Sequence, residues 1–139
     1  MHTERTHSWR KGNKKMFARS KDDVTPVEWG SGTSHRLLVD SDNMGFALAH
    51  TLVRAGTESK LEYRRHLEAC YCIKGSGSVA DLEGNIIKLR PGVLYALDQH
   101  DRHYLRACEH EDMELISVFT PPIRGDEQHI LSDASFSSY

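Results

Sequence analysis

The chain has 139 residues, which is the length of one domain with one hydrophobic core. Hydrophobic residues make up 38% and charged residues 27%, a composition that is typical of globular proteins and excludes an intrinsically disordered chain. The sequence has no apolar run long enough to cross a bilayer and no apolar segment behind the N-terminal charges, so it predicts neither a membrane span nor a secretory signal. The expected location is the cytoplasm.

The net charge of −2 is distributed unevenly, because residues 1–20 carry six lysines and arginines against one glutamate. A basic segment of this kind can contact nucleic acid. It has few interleaved aromatic residues, so we favour a flexible, solvated arm over residues 1–20 and expect no nucleic-acid partner. Residues 131–139 are rich in serine and predict a mobile C-terminal tail.

The region between these ends, residues 21–130, predicts an all-β domain. Turn signals such as Gly75-Ser76-Gly77 and Pro91-Gly92 separate short segments of strand-like composition, and no segment shows a convincing 3.6-residue apolar period. In chain order, strands are predicted at residues 35–40, 44–54, 60–64, 68–74, 78–81, 85–89, 94–97, 103–107 and 114–119. Many short, evenly spaced strands are typical of a sandwich or barrel.

The three cysteines are Cys70, Cys72 and Cys108, and all of them lie in strand-like contexts. Cys70 and Cys72 fall on the same face of one predicted strand. In a reducing compartment such residues are most often small buried hydrophobes, and we favour that interpretation over a metal or redox pair.

The spacing of one glycine-bounded segment suggests a specific type of barrel. Gly56 is followed after five residues by Glu62-Tyr-Arg64, after three more by Glu68, and after six more by Gly75. This spacing resembles the first signature of cupins, which are double-stranded β-helix jelly rolls, although Glu62 and Arg64 replace the two ligand histidines. The glycines suit the tight hairpin turns, and the alternation directs side chains into the barrel.

The second cupin signature follows in the next hairpin. Gly84 and Gly92 have the expected separation, and Tyr95 stands where cupins have a histidine ligand. Glu68 and Tyr95 therefore occupy metal-bearing positions, and His103 lies eight residues beyond Tyr95. A carboxylate, a phenolate and an imidazole suit iron, zinc or manganese, and three protein ligands leave open positions for a substrate. On spacing alone, a polar pocket in which these side chains only hydrogen-bond fits equally well.

Longer motifs extend the match beyond the cupin signatures. Two of them are Met44-Gly-Phe46, which leads into Ala55-Gly-Thr-Glu58, and Tyr63-Arg-Arg-His-Leu-Glu68-Ala-Cys-Tyr-Cys-Ile73. A third is the segment 90–106, which contains Tyr95-Ala-Leu-Asp98 and His103-Tyr-Leu-Arg106, and the last is Val118-Phe-Thr-Pro-Pro122. With these motifs the chain resembles the ectoine synthase family over residues 29–129. That family comprises dimeric, iron-dependent cupins that convert Nγ-acetyl-L-2,4-diaminobutyrate to the compatible solute ectoine with loss of water.

The resemblance implies roles for individual side chains. Glu68, Tyr95 and His103 would bind Fe(II), with zinc or manganese as alternatives. Tyr63, and second to it His66, would carry out the acid–base chemistry. The residues that would line the substrate pocket are Trp29, Arg36, Thr51, Phe119 and Glu127, while His129 matches a position near the end of the fold. The resemblance also implies a lyase acting against osmotic stress, and a head-to-tail homodimer.

Three departures from the family pattern leave other functions open. Glu62 replaces a usual histidine, Thr120 a usual asparagine, and Ala49 a common polar pocket residue. One alternative is a divergent metallo-cupin that acts on a different small acylated amine. Others are a different metal-dependent reaction, such as that of an oxygenase, a non-catalytic solute-binding cupin, and a purely structural barrel. Each pocket residue also has a structural alternative, and Arg36 can pair with an Asp or Glu of the chain itself.

Overall fold

Short strands with alternating buried and exposed side chains form two sheets in a computed structural model, which describes residues 16–129 and 136–138. The strands are β1 (Val27–Glu28), β2 (Gly32–Leu38), β3 (Ala47–Val53), β4 (Glu58–Glu62), β5 (Leu67–Lys74), β6 (Gly77–Ala80), β7 (Ile86–Leu89), β8 (Leu94–Leu97), β9 (His103–Ala107), β10 (Met113–Thr120) and β11 (Ser137–Ser138). The described helices are two single 3₁₀ turns, Lys21–Asp23 and Asp40–Asp42, and neither has the length or apolar character that a membrane crossing requires.

The larger sheet has the order β1-β2-β3-β10-β5-β8, and the smaller has the order β11-β4-β9-β6-β7. All pairings are antiparallel except that of β11 with β4. Sequence neighbours such as β4 and β5 lie in different sheets, so the chain crosses repeatedly from one sheet to the other. This arrangement confirms the predicted all-β cupin barrel.

The core lies between the two sheets because alternate residues of each strand point inward. On β10, Met113, Leu115, Ser117 and Phe119 are buried, whereas the residues between them are partly exposed. Most inward-facing residues are apolar, but several are polar or charged. Burial of a polar group is costly unless it is paired, so the inward polar side chains mark the functional region.

Glycine is required where β5 turns into β6. Gly75 has φ +78°, and a Cβ atom there would lie 2.3 Å from the backbone oxygen of Asp112. Only glycine fits both the left-handed conformation and the close approach of the β10 backbone. The first cupin signature therefore ends on a glycine for a local steric reason.

The nine predicted strands are all present; β8 and β9 have the predicted ends, and the ends of the other seven are shifted. The predicted strand 44–54 starts only at Ala47, because Asn43 and Gly45 have φ values of 57° and 85° and form a turn. Strand β2 starts at Gly32, three residues earlier than predicted, because Gly32 pairs with Val53 on β3. The sequence did not predict β1 or β11.

The predicted flexible segments are only partly described. Residues 1–15, 130–135 and 139 lie outside the described residues, so the boundaries at 20 and 131 stay predictions. Arg19, in the predicted arm, donates hydrogen bonds to Asp42 and to the Leu37 carbonyl oxygen. In the predicted tail, β11 pairs with β4, and the Phe136 ring packs against Tyr104.

Candidate active site

A cavity opens between the two sheets. Its walls combine apolar side chains with convergent polar groups, which is the usual composition of a small-molecule site. The lining residues are Trp29, Ser34, Arg36, Thr51, Leu61, Tyr63, Glu68, Cys70, Tyr95, Leu105, Leu115, Ser117, Phe119 and His129.

Two buried polar side chains face each other across the barrel. Glu68 on β5 and His103 on β9 are 6% and 1% exposed, and Glu68 Oε1 lies 4.0 Å from His103 Nε2. The Nδ1 atom of His103 is 3.0 Å from the Asp101 carbonyl oxygen, which can only accept, so Nδ1 carries the proton. Neutral His103 therefore presents the Nε2 lone pair to Glu68. Neither of the two facing atoms has a hydrogen-bond partner among the described residues.

Tyr95 joins this pair through the register of β5 and β8. It lies directly opposite Cys70, which is two residues after Glu68 on the same inward face. The Cys70 thiol is within hydrogen-bonding reach of the Glu68 carboxyl group and of the Tyr95 hydroxyl group. The structure thus brings Glu68, Tyr95 and His103, the three predicted ligands, to one region of the barrel.

Burial favours the neutral form of each of these three groups. It raises the pKa of Glu68 to about 8 and the pKa of Tyr95 well above its ordinary value, and it lowers the pKa of His103. A cation between them would instead favour the carboxylate and the phenolate. Within residues 16–129 and 136–138, no three His, Cys, Asp or Glu side chains are grouped to hold a metal. A metal here would therefore need the Tyr95 oxygen as its third donor, and this oxygen-rich set fits a divalent ion such as iron.

Arg36 supplies a buried positive charge on β2. Its Nε donates to Ser34 Oγ at 3.2 Å, and its Nη1 lies 3.7 Å from Glu127 Oε1. Glu127 is itself held by the backbone N–H groups of Arg124 and Gly125, and these bonds with the Arg36 charge keep its pKa below the usual value. The anion that this arginine requires is therefore partly supplied by the chain.

Tyr63 and His129 form a buried pair at the cavity wall. The Tyr63 hydroxyl oxygen lies 2.9 Å from His129 Nε2, and the Tyr63 ring packs edge-on against Phe119 with centroids 5.1 Å apart. Burial, reinforced by the proximity of His103 and by the Arg36 charge, lowers the pKa of His129 to about 3. His129 is therefore a neutral partner for the Tyr63 hydroxyl group at any ordinary pH.

Most of the predicted site residues line the cavity. Seven of them line the cavity, namely Trp29, Arg36, Thr51, Tyr63, Glu68, Tyr95 and Phe119. His103 contributes through its contact with Glu68, and Glu127 through Arg36. His66 is separate from the lining, with Nδ1 2.7 Å from the Pro121 carbonyl oxygen and its ring against Phe119.

The three departures from the family pattern lie outside the cavity lining. Glu62 is buried, and its carboxylate is held by Arg64 at 3.2 Å and Arg102 at 3.5 Å. Thr120 is exposed and donates to the Gly45 carbonyl oxygen. Ala49 is buried between its strand partners on β2 and β10.

The sequence interpretation missed Cys70 and Ser117 and gave His129 no role, although all three line the cavity. Cys70 was interpreted as a small hydrophobe, whereas its Sγ donates to Ser117 Oγ at 3.3 Å. The available signal was strand parity, because Cys70 has the same parity as Glu68, and Ser117 the same as Phe119.

Comparisons with known proteins agree with this geometry. The sequence pattern of the family described as ectoine synthase matches residues 12–137. L-ectoine synthase of Desulfatibacillum aliphaticivorans is 45% identical over 121 residues, covering 82% of this chain and 92% of the relative. The crystal structure of ectoine synthase from P. lautus superposes with a TM-score of 0.74 at 38% identity, covering 79% of this chain and 81% of the other. Oxalate decarboxylase of Lactobacillus farciminis shares the fold alone, with 18% identity, a TM-score of 0.65, and coverage of 77% and 34%.

The buried neutral His129 predicts a specific loss of stability in acid. The unfolded chain takes up a proton on this residue near pH 6.5, whereas the folded protein does so only near pH 3. The stability contributed by His129 is therefore complete above pH 6.5 and is lost progressively as the pH falls towards 3. At pH 5 the loss is about 2 kcal/mol. When the pH is lowered from 7 to 5, the free energy of unfolding of His129→Gln should fall by about 2 kcal/mol less than that of the wild type.

Urea denaturation of chelator-treated protein at the two pH values measures this difference. His110→Gln, at an exposed histidine, is the matched control and should follow the wild type. An equal loss in wild type and His129→Gln would contradict the assignment of His129 as a buried neutral group.

Proposed function

The chain belongs to the ectoine synthase family, and from this membership we propose that it converts Nγ-acetyl-L-2,4-diaminobutyrate to ectoine with loss of water. The curated relatives are L-ectoine synthases, which are hydro-lyases, and this chain is an enzyme of that class. The observation that carries the proposal is the facing pair of buried polar atoms, Glu68 Oε1 and His103 Nε2, which lack a hydrogen-bond partner among the described residues, beside a cavity that Glu68 and Arg36 line.

The reaction requires a ring closure within one molecule. The substrate α-amine attacks the carbonyl carbon of its own acetamide group, a C–N bond forms, and the carbonyl oxygen leaves as water. The amine loses protons and the departing oxygen gains them. A narrow cavity accelerates such a reaction by holding a flexible chain with the two reacting groups in contact.

We assign Glu68, Tyr95 and His103 as the residues that hold a divalent metal ion, with Fe(II) preferred and zinc or manganese as alternatives. Glu68 and His103 bring lone pairs together without a donor between them, and a cation satisfies both. When bound, a metal ion polarises an amide carbonyl group as a Lewis acid.

Arg36 is assigned to the substrate carboxylate. Strands β3 and β10 separate β2, which carries Arg36, from β5, which carries Glu68. Three strand spacings amount to about 14 Å, so Arg36 and Glu68 approach the cavity from well-separated strands. A substrate carboxylate near Arg36 would leave the rest of the molecule extending towards Glu68. Glu127 would hold the guanidinium group in place from the other side.

Tyr63 is assigned to the proton transfers. Tyr63 lines the cavity and its hydroxyl group shares a hydrogen bond with neutral His129, which orients it. The hydroxyl group can therefore donate its proton to the leaving oxygen and recover one from the attacking amine. His66 is a weaker candidate, because its ring is behind Phe119 and Nδ1 bonds the Pro121 carbonyl oxygen.

The position of the departures supports the ectoine substrate. Glu62, Ala49 and Thr120 differ from the family pattern, and none of them is among the residues that line the cavity. The proposal includes action in the cytoplasm against osmotic stress, where three unpaired cysteines would remain reduced.

The proposal is tested by turnover of the acetylated substrate. Protein loaded anaerobically with Fe(II) should form ectoine, measured by mass spectrometry, and a chelator should stop the reaction. Glu68→Gln and His103→Ala should lower kcat/KM by about 100-fold or more, because they remove donors from the metal centre. Glu83→Gln is the control, since it makes the same change at an exposed carboxylate outside the cavity lining, and should stay within about threefold.

Lack of product from folded, metal-loaded wild-type protein would overturn the ectoine assignment, and tight binding without turnover would indicate a solute-binding protein instead. Product formation that resists both the chelator and Glu68→Gln would overturn the metal assignment.

Tyr63→Phe tests the assigned proton transfers separately. The variant keeps the ring that packs against Phe119 but lacks the hydroxyl group that bonds His129. We expect kcat to fall by about 100-fold to 10,000-fold while Fe(II) still binds. Tyr104→Phe removes a tyrosine hydroxyl group outside the lining and should keep wild-type kcat. Wild-type kcat in Tyr63→Phe would contradict the assignment.

We also propose a head-to-tail homodimer that covers an apolar part of the larger sheet. Tyr71 and Ile73 on β5 are 45% and 41% exposed, and Leu94 on the edge strand β8 is 56% exposed and directly opposite Tyr71. Leu94→Lys should shift the protein towards monomer in analytical ultracentrifugation, because a charge would be buried in the interface. Ile86→Lys, on β7 of the other sheet, is the control. A monomeric wild-type protein, or a Leu94→Lys variant that dimerises with wild-type affinity, would contradict the proposed dimer interface.

A further inference from the structure

Cys70 occupies a central position among the residues assigned to the metal. It is 1% exposed and lies on β5, two residues after Glu68 and opposite Tyr95 on β8. Its thiol group is within hydrogen-bonding reach of both side chains. One buried sulfur atom therefore lies close to two of the three assigned ligands.

A row of small polar side chains extends from Cys70 across the sheet. Ser117 on β10 is the direct strand partner of Cys70, and its Oγ lies 3.3 Å from the Cys70 Sγ. Ser117 Oγ also lies 3.0 Å from Thr51 Oγ1 on β3. Three neighbouring strands thus contribute one polar group each, all at the cavity wall. A purely apolar core would not need such a connected row.

We propose that Cys70 is a positioning residue of the metal centre, whose side chain lies against Glu68 and Tyr95 and keeps both in their ligand orientations. Its single S–H proton is donated to Ser117 Oγ, which fixes the position of the sulfur atom. Ser117 anchors the thiol from the opposite side, and Thr51 anchors Ser117. This inference rests on the metal centre of the proposed function and adds a role that the ligand set itself does not include.

The physical reason is the orientation of buried ligands. Partners that hydrogen-bond to metal ligands fix their rotamers, and loss of such a partner typically lowers metal affinity about 10-fold to 100-fold. The thiol itself is outside the ligand set, because Glu68, Cys70 and His103 do not form a metal-holding group in the described part of the chain. Cys70 therefore acts through Glu68 and Tyr95.

Cys72 provides a matched control on the same strand. It has the same inward direction and is fully buried, but its Sγ contacts the carbonyl oxygens of Lys74 and Gly75, away from the assigned ligands. Substitutions at Cys70 and Cys72 therefore impose similar packing changes, and they differ in contact with Glu68 and Tyr95.

The test measures metal binding by the full-length chain without substrate. Co(II) affinity is determined by competition with a chromophoric chelator, and Tyr95 ligation by the visible phenolate-to-Fe(III) charge-transfer band. Cys70→Val should weaken Co(II) binding about 10-fold to 100-fold and shift or weaken the band. Cys70→Ser, which keeps a hydrogen-bonding group, should restore both, and Cys72→Val should match the wild type.

If Cys70→Val does not fold, Ser117→Ala provides the same test. This substitution removes only one oxygen atom, and that atom is the anchor of the thiol. We expect Ser117→Ala to weaken Co(II) binding about threefold or more. Wild-type affinity and an unchanged band in the folded Cys70 variant, or in Ser117→Ala where it stands in, would overturn the inference.

The outcome is separable from that of the proposed reaction. A protein whose Co(II) affinity depends on Cys70 but which forms no ectoine would support the positioning role and overturn the reaction. Ectoine formation with metal affinity independent of Cys70 would overturn the positioning role and leave the reaction in place.

Discussion

The contact between Glu68 and His103 is the constraint on which the rest of the site depends. The two side chains come from different sheets, and their facing atoms are buried 4.0 Å apart. His103 Nε2 is an acceptor, because His103 uses Nδ1–H for the Asp101 carbonyl oxygen, and the Glu68 oxygen is an acceptor when the carboxyl group is ionised. Two buried acceptors without a donor between them are unfavourable unless a proton or cation intervenes. A metal ion satisfies both, and would tie the two sheets together at the cavity.

The register of the larger sheet builds the remaining site around this contact. Tyr95 reaches Glu68 through the β5–β8 pairing, while Cys70 and Ser117 are partners in the β5–β10 pairing. Strand order keeps Arg36 away from Glu68, at the other side of β3 and β10. One sheet thus carries the assigned anchor for the substrate carboxylate and two assigned metal ligands, and all three line the same cavity.

The sequence predicted the fold and the ligand candidates because cupin signatures are local. Glu68 and Tyr95 each lie within one hairpin whose glycines and spacing can be read directly from the chain. It could not align His103, since an intervening turn breaks strand parity. Nor could it detect that Cys70 opposes Ser117, because this contact depends on the register of strands more than 40 residues apart. Strand parity also did not reveal that Glu62 lies outside the cavity lining, where two arginines hold its carboxylate.

Anomalous diffraction from crystals grown anaerobically with Fe(II) shows directly whether these side chains hold iron. We predict an iron peak between Glu68 and His103, within bonding distance of the Glu68 carboxylate, His103 Nε2 and the Tyr95 oxygen, at about 2.0–2.2 Å. The peak should be absent from crystals of Glu68→Gln. A wild-type structure with iron elsewhere, or with Glu68 and His103 joined directly by a hydrogen bond under iron-replete conditions, would contradict this prediction.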